Sequence, residues 1–186
     1  MLSLINNYDP LLYSLFIEAH EESAIQNENA SLHSLLNAGL TTGRLENGLA
    51  AAIMTLGGHH APISEARTVY LTWTKEFIDT AVLAKMFIPG FGNSFYKDSI
   101  DPKWEKVAAH IKEFYPQHDA RITEITQWLA DNNLKLFPNA AMYSAVVCEI
   151  LAVVPGTEVA LLIMARLPAW SLAWANKNDS FRLIKL

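Results

Sequence analysis

Apolar residues recur every three or four positions along almost the whole chain, the spacing that predicts amphipathic helices. The first such segment follows Asp9-Pro10, a capping residue before a proline at the first helical position, and it is predicted to reach about Ile25. The same reasoning predicts helices over residues 30–38, 45–56, 62 onwards, 76–86, 102–115, 122–129 and 138–154, and a last long helix from Thr157.

The helical segments are separated by short turns, among them Pro89-Gly90-Phe91-Gly92 and Pro155-Gly156. No segment alternates apolar and polar residues in the way that predicts a pair of β-strands. No repeat, low-complexity tract or linker divides the sequence. The pattern therefore predicts an all-α fold of about eight or nine helices, in a single domain that spans residues 1–186.

Composition and charge narrow the class of protein. Hydrophobic residues make up 51% of the chain, enough for a sizeable core, and a net charge of −5 disfavours nucleic-acid binding. Residues 1–9 lack the pattern of a secretion leader. The apolar stretch 159–175 contains Arg166 and Pro168 and is shorter than the roughly 20 residues of a membrane span. We therefore predict a buried helix there, and a soluble cytoplasmic protein without membrane or nucleic-acid partners.

Few residues suggest chemistry by local context alone. The single cysteine, Cys148, lies in an apolar run and is best explained as a core residue. His59-His60 lies where one helix ends and another begins, so an imidazole there could face a cleft, although an ordinary surface histidine fits equally well. HExxH, CxxC and GxSxG motifs do not occur, and adjacent residues on a helix point about 100° apart. No metal site and no resident cofactor is predicted.

The loop Gly90-Phe91-Gly92-Asn93-Ser94 carries a weaker signal. Glycines let backbone amides approach a phosphate or an adenine, and Lys97 and Lys103 lie nearby in the sequence. A plain turn between two helices explains the same glycines. The residues alone leave both interpretations open.

Four segments, in this order, resemble the citrate synthase and citryl-CoA lyase family. Residues 57–66 resemble its G-P-x-H-G-G-A-N-E-A segment. Residues 90–97 and 101–103 resemble G-F-G-H-R-V-Y-K and D-P-R, and residues 136–144 resemble L-Y-P-N-V-D-F-Y-S. Residues 165–174 resemble A-R-T-V-G-W with its later tryptophan. Four ordered matches are far more specific than any one of them.

The resemblance implies a fold that pairs as a homodimer and binds an acyl-CoA beside a small hydroxy- or keto-acid. In that family the histidine matching His60 polarises the thioester carbonyl, an aspartate moves the α-proton, and a second histidine acts on the keto or hydroxyl oxygen. Here Ala141 occupies the aspartate position and Asn93 that of the second histidine. Lys103 replaces the arginine of D-P-R and keeps its charge without the planar fork, whereas Arg166 matches a carboxylate-binding arginine.

The resemblance also implies further acid contacts. Arg182 matches an arginine that reaches into the neighbouring subunit, although the proline that follows it in the family is missing here. The early family histidine falls on Gln26 when Asn29-Ala30-Ser31 is aligned, an alignment that the spacing to His60 favours. It falls on His20 when the preceding segment is aligned instead, so both positions remain candidates.

The expected coenzyme A contacts are Gly90, Phe91, Gly92 and Lys97, with the coenzyme A thioester as substrate rather than cofactor. The family also carries a long helical segment before the region that this chain resembles. Part of the large domain is therefore expected to be missing, or to be supplied by a second citrate synthase-like chain.

The two substituted positions bear directly on activity. One positioned acid or base contributes roughly 10²- to 10⁴-fold to rate, alanine cannot move a proton, and a carboxamide does not titrate. Two hypotheses follow. One is an acyl-CoA-dependent enzyme that forms or cleaves carbon–carbon bonds by altered chemistry, in which His60 and Asn93 are the candidate catalytic residues because both can offer polar contacts to a developing enolate or alkoxide. The other is a catalytically silent binding or regulatory subunit, a pseudoenzyme.

Overall fold

The computed structural model describes residues 5–26, 29–57 and 60–183, with side chains described as far as residue 177. Within these ranges there are nine α-helices, a 3-10 turn at Pro102–Trp104 and only isolated β-bridges, which confirms the all-α prediction. The helices are α1 Pro10–Ala24, α2 Ala30–Thr42, α3 Leu45–Met54, α4 Ile63–Thr72, α5 Lys75–Leu83, α6 Glu105–Phe114, α7 Pro116–Asp131, α8 Ala140–Ile150 and α9 Glu158–Leu183.

Several helix starts follow the capping residues predicted from the sequence. The carboxylate of Asp9 accepts a hydrogen bond from the amide of Leu12 at 2.9 Å, in the first turn of α1. The carboxylate of Asp101 accepts one from the amide of Lys103 at 3.1 Å, at the 3-10 turn before α6. These short-range contacts satisfy amides that have no partner inside the helix.

Several helix boundaries differ from the prediction, for example the end of α2, which lies at Thr42, and that of α5, which lies at Leu83. Two of the differences have a local explanation. Helix α7 begins earlier, at Pro116, because a proline is readily accommodated in the first helical turn. Helix α8 ends earlier, at Ile150. Its termination follows from Ala152, which adopts a φ of 47°, and from the amide of Val153, which donates back to the carbonyl of Cys148 at 2.8 Å.

The helices form two compact units. The first unit comprises Met1–Phe16 and Ala61–Glu158, and so contains helices α4 to α8. The second unit comprises Ile17–His60 and Val159–Leu186, which combines α2 and α3 with nearly all of α9 and the C-terminal part of α1. The single-domain organisation expected from the sequence stays a prediction.

Helix α8 forms the centre of the first unit, where all but one of its residues from Ala141 to Ile150 are buried. Trp104 stacks on Tyr143 with the ring centroids 6.2 Å apart, and Phe16 meets Trp104 edge-on at 6.3 Å. Burial of these aromatic rings ties α1 and the 3-10 turn to α8.

Arg67, a buried arginine of the first unit, has a hydrogen-bond partner for each of its three guanidinium nitrogens. Arg67 of α4 bonds to the carboxylate of Glu149 and, at 2.5 Å, to that of Glu158, and its Nη2 donates to the carbonyl of Val153 at 3.1 Å. Burial alone would lower the pKa of Arg67, but the two carboxylates outweigh it and raise the pKa. The guanidinium therefore links α4 to the segment between α8 and α9.

Helices α2 and α3 of the second unit approach each other closely at two glycines. A Cβ atom on Gly48 would lie 2.6 Å from the carbonyl oxygen of Leu35 and 3.2 Å from Cα of Gly39. A Cβ atom on Gly39 would lie 2.6 Å from Cδ1 of Trp174, on α9. Larger residues are excluded at both positions. One buried apolar cluster of this unit contains Ala24, Leu32, Leu35, Ala52 and Trp170.

Helix α9 is buried along one face and exposed along the other. Leu161 and Trp170 have no exposed surface, whereas Met164 and Leu172 are exposed. The predicted burial is therefore correct for one face. By length and apolar composition alone, Glu158–Lys177 is the one described helix that could cross a membrane, a test that core helices of water-soluble proteins also pass.

Candidate functional site

His60 lies on a tight backbone turn of the second unit. The amide of Gly57 donates to the carbonyl of His60 at 2.7 Å, and the amide of His60 donates to the carbonyl of Gly57 at 3.0 Å. Gly57 has a φ of +100°, which glycine adopts without strain. The backbone of His60 is thus fixed independently of its half-buried side chain. The neighbouring His59 lies outside the described residues.

Ser31, in the first turn of α2, determines which nitrogen of His60 carries the proton. Nε2 of His60 lies 2.8 Å from Oγ of Ser31, and the Ser31 hydroxyl donates to Oδ1 of Asn29 at 2.9 Å. A hydroxyl has a single proton, so when that proton is on the bond to Asn29, Nε2 of His60 donates to the Ser31 oxygen. In this arrangement the neutral imidazole presents an acceptor lone pair on Nδ1.

Asn29, the N-cap of α2, is itself held in one orientation. Its Oδ1 accepts hydrogen bonds from the amides of Ser31 at 3.0 Å and Leu32 at 3.4 Å, and its Nδ2 donates to the carbonyl of Ser23 at 2.7 Å. Reversing the carboxamide would place an NH₂ group against two N–H donors. The cap of α2 thus sets the proton position on an imidazole far along the chain.

Arg166 of α9 is buried without the partners that such a charge needs. Its side chain belongs to a residue that is only 4% exposed, and its Nε and Nη1 have no hydrogen-bond partner among the described residues. Burial lowers the pKa of Arg166 to about 10, which leaves the guanidinium charged near pH 7. An uncompensated buried cation costs several kcal/mol, so this group is poised for an anion.

Two histidines lie within the electrostatic reach of Arg166. Burial lowers the pKa of His20, which is 1% exposed, well below its ordinary value, and the charge of Arg166 lowers it further. Burial and then the charge of Arg166 also lower the pKa of His60. Both imidazoles are neutral near pH 7. Arg166 is therefore electrostatically coupled to His20 and to His60, and these three residues are called the cationic cluster below.

The two remaining predicted acid contacts, Gln26 and Arg182, belong to the second unit. Gln26 is half-buried just after α1, and its carbonyl accepts the amide of Asn29 at 2.9 Å. Arg182 belongs to α9, and its side chain lies outside the described residues.

In the first unit, the glycine loop is pinned to the start of α8. The amide of Gly92 donates to the carbonyl of Phe137 at 2.8 Å, and the amide of Asn139 donates to the carbonyl of Gly90 at 2.9 Å. The amide of Phe91 donates to Ile88 at 3.3 Å. The amides of Phe91 and Gly92 are therefore already used within the protein, and the loop offers no cradle of free amides at these two positions.

Gly90 is required by packing as well as by conformation. Its φ is +90°, and a Cβ atom there would lie 2.7 Å from Cε of Met142. The backbone of the loop therefore lies directly against α8, which explains the glycine without any ligand.

Asn93 and Ala141, at the positions that the sequence resemblance assigns to the family's acid–base groups, both have local structural roles. Oδ1 of Asn93 accepts hydrogen bonds from the amides of Phe95 at 2.8 Å and Tyr96 at 3.4 Å. Ala141 is buried in the first turn of α8, and its amide donates to Oδ1 of Asn139 at 2.9 Å. Neither residue supplies a titratable group.

Lys103 is committed to contacts inside the first unit. Its ammonium pairs with the carboxylate of Asp101 at 2.7 Å and lies 5.1 Å from the ring centroid of Tyr96. Lys97 is exposed. Of the predicted basic ligand contacts whose side chains are described, Arg166 is thus the one that is buried with unpartnered nitrogens.

Metal and thiol chemistry find little support in the described part of the chain. No group of three His, Cys, Asp or Glu side chains there could hold a metal ion. Cys148 is fully buried, and burial raises the pKa of its thiol to about 12. A thiolate nucleophile is therefore excluded at neutral pH.

Sequence reasoning missed the roles of Asn29 and Ser31, which served only to align the early family segment. The local signal was an asparagine at a predicted helix start with a serine two residues on, a common capping pattern. The capping pattern does not predict that Ser31 also contacts His60, because His60 lies 29 residues further along the chain.

Comparison with known proteins identifies the fold and the family. Residues 26–185 match the family described as citrate synthase, C-terminal domain. No functionally curated protein matches the sequence significantly. Among solved structures, citryl-CoA lyase from Hydrogenobacter thermophilus is similar with a TM-score of 0.73 and 20% identity, over 92% of this chain and 72% of that chain.

Citrate synthases of known structure are similar over a smaller share of their own length. The enzyme from Thermotoga maritima has a TM-score of 0.74 and 25% identity, over 89% of this chain and 48% of that one. Citrate synthase from Thermoplasma acidophilum, solved with carboxymethyl coenzyme A and oxaloacetate, has a TM-score of 0.62 and 19% identity, over 91% and 53%. The chain spans about half the length of these two proteins, and the family match across residues 26–185 shows that it belongs to the citrate synthase family.

Proposed function

We propose that the protein binds a small hydroxy- or keto-acid at the cationic cluster and uses it, together with an acyl-CoA, in an altered form of the family's carbon–carbon bond chemistry. One observation carries the proposal. Arg166 is buried and charged, with two guanidinium nitrogens unpartnered among the described residues. A carboxylate would accept hydrogen bonds from those nitrogens and offset the cost of burying the charge.

The histidines of the cluster suit a hydroxy-acid. Because Nε2 of His60 is directed at Ser31, its Nδ1 can accept a hydrogen bond from a ligand hydroxyl. His20 lies close enough to Arg166 for its pKa to respond to that charge, which makes it our preferred occupant of the early family histidine position, with Gln26 as the alternative. The acyl-CoA ligand is proposed on family membership and on the carboxymethyl coenzyme A in the Thermoplasma structure.

The altered chemistry follows from position 141. Without a carboxylate there, the protein lacks the group that removes an α-proton in the family. A substrate that generates its carbanion by losing carbon dioxide needs no such base. We therefore propose a decarboxylating acid or acyl group as the class of substrate to test.

A catalytically silent binding or regulatory subunit is the second candidate, and a specific observation favours it. Asn93 uses its carboxamide oxygen to hold its own loop, and Ala141 is a buried helix residue. Both positions serve the fold rather than a reaction. Such a subunit would act as a homodimer or beside a more complete citrate synthase-like chain.

Calorimetric titration with citrate and with oxaloacetate, each with and without acetyl-CoA, tests the proposal. We expect Arg166→Gln to weaken acid binding by at least tenfold, or about 1.4 kcal/mol. Arg44→Gln is the matched control, because Arg44 is an exposed arginine of the same unit and acid binding should not change. Circular dichroism establishes that each variant is folded, and Arg166→Lys tests the fork separately from the charge.

The two candidates are separated by turnover. With malonyl-CoA, which can generate the carbanion by losing carbon dioxide, release of free coenzyme A that requires both the acid and His60 supports the enzyme, whereas acid binding without turnover supports the silent subunit. If the wild-type protein binds neither acid under any of these conditions, the acid site at Arg166 is wrong for both candidates.

A further inference from the structure

Trp170 of α9 carries a second buried donor in the second unit, one that the acid site proposed above does not use. The residue has no exposed surface, and its indole Nε1 has no hydrogen-bond partner among the described residues. An indole N–H can only donate. Buried donors without an acceptor are rare, because the hydrogen bonds that they lose to water are not replaced. Trp170 therefore lacks an acceptor that a ligand could supply.

Trp170 lies on the same face of α9 as Arg166, one helical turn further along the chain. Side chains four residues apart in a helix lie one above the other, and both lean toward the helix N-terminus. The side chain of Trp170 therefore leans over the turn that contains Arg166. Arg166 is only 4% exposed, so the unpartnered nitrogens of both residues lie on one buried face of the helix.

Helix α2 lies against this face of α9, and the two helices run in step. Leu35 of α2 and Trp170 are fully buried members of one apolar cluster. One turn later along both helices, a Cβ atom on Gly39 would lie 2.7 Å from Nε1 of Trp174. Because both pairs advance by four residues, one turn earlier brings Arg166 to the level of the start of α2.

Contacts on α2 and on α1 agree with this placement. At the start of α2, Oγ of Ser31 lies 2.8 Å from Nε2 of His60, whose pKa is lowered by the charge of Arg166 as well as by burial. On α1, Ala24 belongs to the same apolar cluster as the indole, and His20 lies one turn earlier. The charge of Arg166 also lowers the pKa of His20. The indole therefore lies one helical turn from the level of the cationic cluster.

We propose that the indole N–H of Trp170 donates a hydrogen bond to the acid held by Arg166, so that the site selects acids with a second acceptor group. The inference rests on the proposed function. A second carboxylate forms a charge-assisted hydrogen bond with the indole. An apolar group in its place leaves the buried N–H unpaired, which is how a polar site rejects an analogue that lacks the acceptor. Trp170 thus determines specificity and takes no part in proton transfer.

Calorimetric titration of the full chain with malate and with 2-hydroxybutyrate tests this inference, because the second acid has a methyl group where malate has its second carboxylate. Trp170→Phe keeps an aromatic ring and removes the N–H. It should weaken malate binding by about tenfold or more and leave 2-hydroxybutyrate binding unchanged. Trp128→Phe, at a half-buried tryptophan of the first unit, is the matched control and should change neither. Unchanged malate affinity in Trp170→Phe, or an equal loss for both acids, would overturn the inference.

Nuclear magnetic resonance of the wild-type protein gives a second test that does not require Trp170→Phe to fold. The chain has five tryptophans, and a phenylalanine variant at each of the other four assigns the indole N–H signal of Trp170 by elimination. Malate should shift this signal, and 2-hydroxybutyrate should not. Malate binding that leaves the Trp170 signal in place would overturn the inference and leave the acid site at Arg166 intact. If the wild-type protein binds neither acid, the proposed function is wrong and the inference with it.

Discussion

The glycine loop of the first unit and the cationic cluster of the second unit differ in whether their polar groups have hydrogen-bond partners within the protein. In the loop, the amides of Phe91 and Gly92 and the carboxamide oxygen of Asn93 all have partners within the protein. In the cluster, two nitrogens of Arg166 have no partner among the described residues. A satisfied polar group stabilises the fold, whereas an unsatisfied buried one lowers stability until a ligand arrives. Family membership therefore shows the shared fold, and the unsatisfied groups are where we propose that a ligand binds.

The same difference is seen between two buried arginines, Arg67 of the first unit and Arg166 of the second unit. Arg67 lies between Glu149 and Glu158, and these carboxylates raise its pKa although burial opposes them. Arg166 experiences burial alone, which lowers its pKa to about 10. The first arginine has its counter-ions in the chain, and the second is proposed to receive its counter-ion with the ligand.

The largest expected effect is that replacing these two arginines changes the free energy of unfolding in opposite directions. Arg67→Met should destabilise the protein by roughly 3–5 kcal/mol, because it leaves the buried carboxylate of Glu158 and the half-buried carboxylate of Glu149 without their cation. Arg166→Met should raise the stability of the ligand-free protein by about 1 kcal/mol or more, because it removes an uncompensated charge. Urea denaturation without added acid measures both.

Repeating the urea denaturation with citrate tests whether the charge of Arg166 is offset by a bound acid. Saturating acid should stabilise the wild-type protein and leave Arg166→Met unchanged, since ligand binding shifts the unfolding equilibrium by mass action. A loss of stability in Arg166→Met as large as that in Arg67→Met would show that Arg166 already has a counter-ion inside the protein.

The next largest effect concerns position 141. Ala141→Asp should cost at least about 2 kcal/mol, because the new carboxylate would be buried in α8. Ala140→Asp is the matched control, since Ala140 is only half-buried and precedes it in the same helical turn, where an acidic residue is favourable. Thermal unfolding of both variants checks the difference, and equal stability would mean that the first unit can still accommodate the family's carboxylate.

Acidification should destabilise the second unit through its histidines. The pKa of His20 and that of His60 are lowered in the folded protein, so the unfolded chain takes up protons first. The contribution is fully present above the ordinary histidine value of about 6.5 and is lost as pH falls below it. Each unit of pKa difference is worth about 1.4 kcal/mol.

Denaturation curves between about pH 7.5 and 5 measure this loss, and His20→Gln should reduce it. His33→Gln, at an exposed histidine of α2, serves as the control and should leave the slope unchanged. If His20→Gln leaves the pH dependence of the free energy of unfolding unchanged, the pKa of His20 is not lowered in the folded protein.

The smallest expected effect tests the structural use of Asn93. Asn93→Ala should cost about 1 kcal/mol, because the amides of Phe95 and Tyr96 lose their acceptor. Asn93→Asp keeps an acceptor oxygen and should lose little. Identical losses in the two variants, measured by urea denaturation, would indicate that the carboxamide oxygen does not hold the loop.

Much of the helical framework could be predicted from short stretches of sequence. Asp9 and Asp101 were recognised as caps because a cap and the amide it satisfies lie within a few residues of each other. The end of α8 was not predicted. It depends on a backbone reversal at Ala152, and on Val153, which pairs with Ile5 at the other end of the chain.

The sequence by itself determined the helical class, the family and the residue types at each site position, because periodicity, capping and motif order are local properties of the chain. Only the tertiary structure decided which of those residues remain available. Asn93 and Lys103 are bound to near neighbours, His60 is oriented by Ser31, and Arg166 is buried with unpartnered nitrogens. Burial and pairing depend on atoms brought together from distant segments, and these set the charge and hydrogen-bonding capacity of a site.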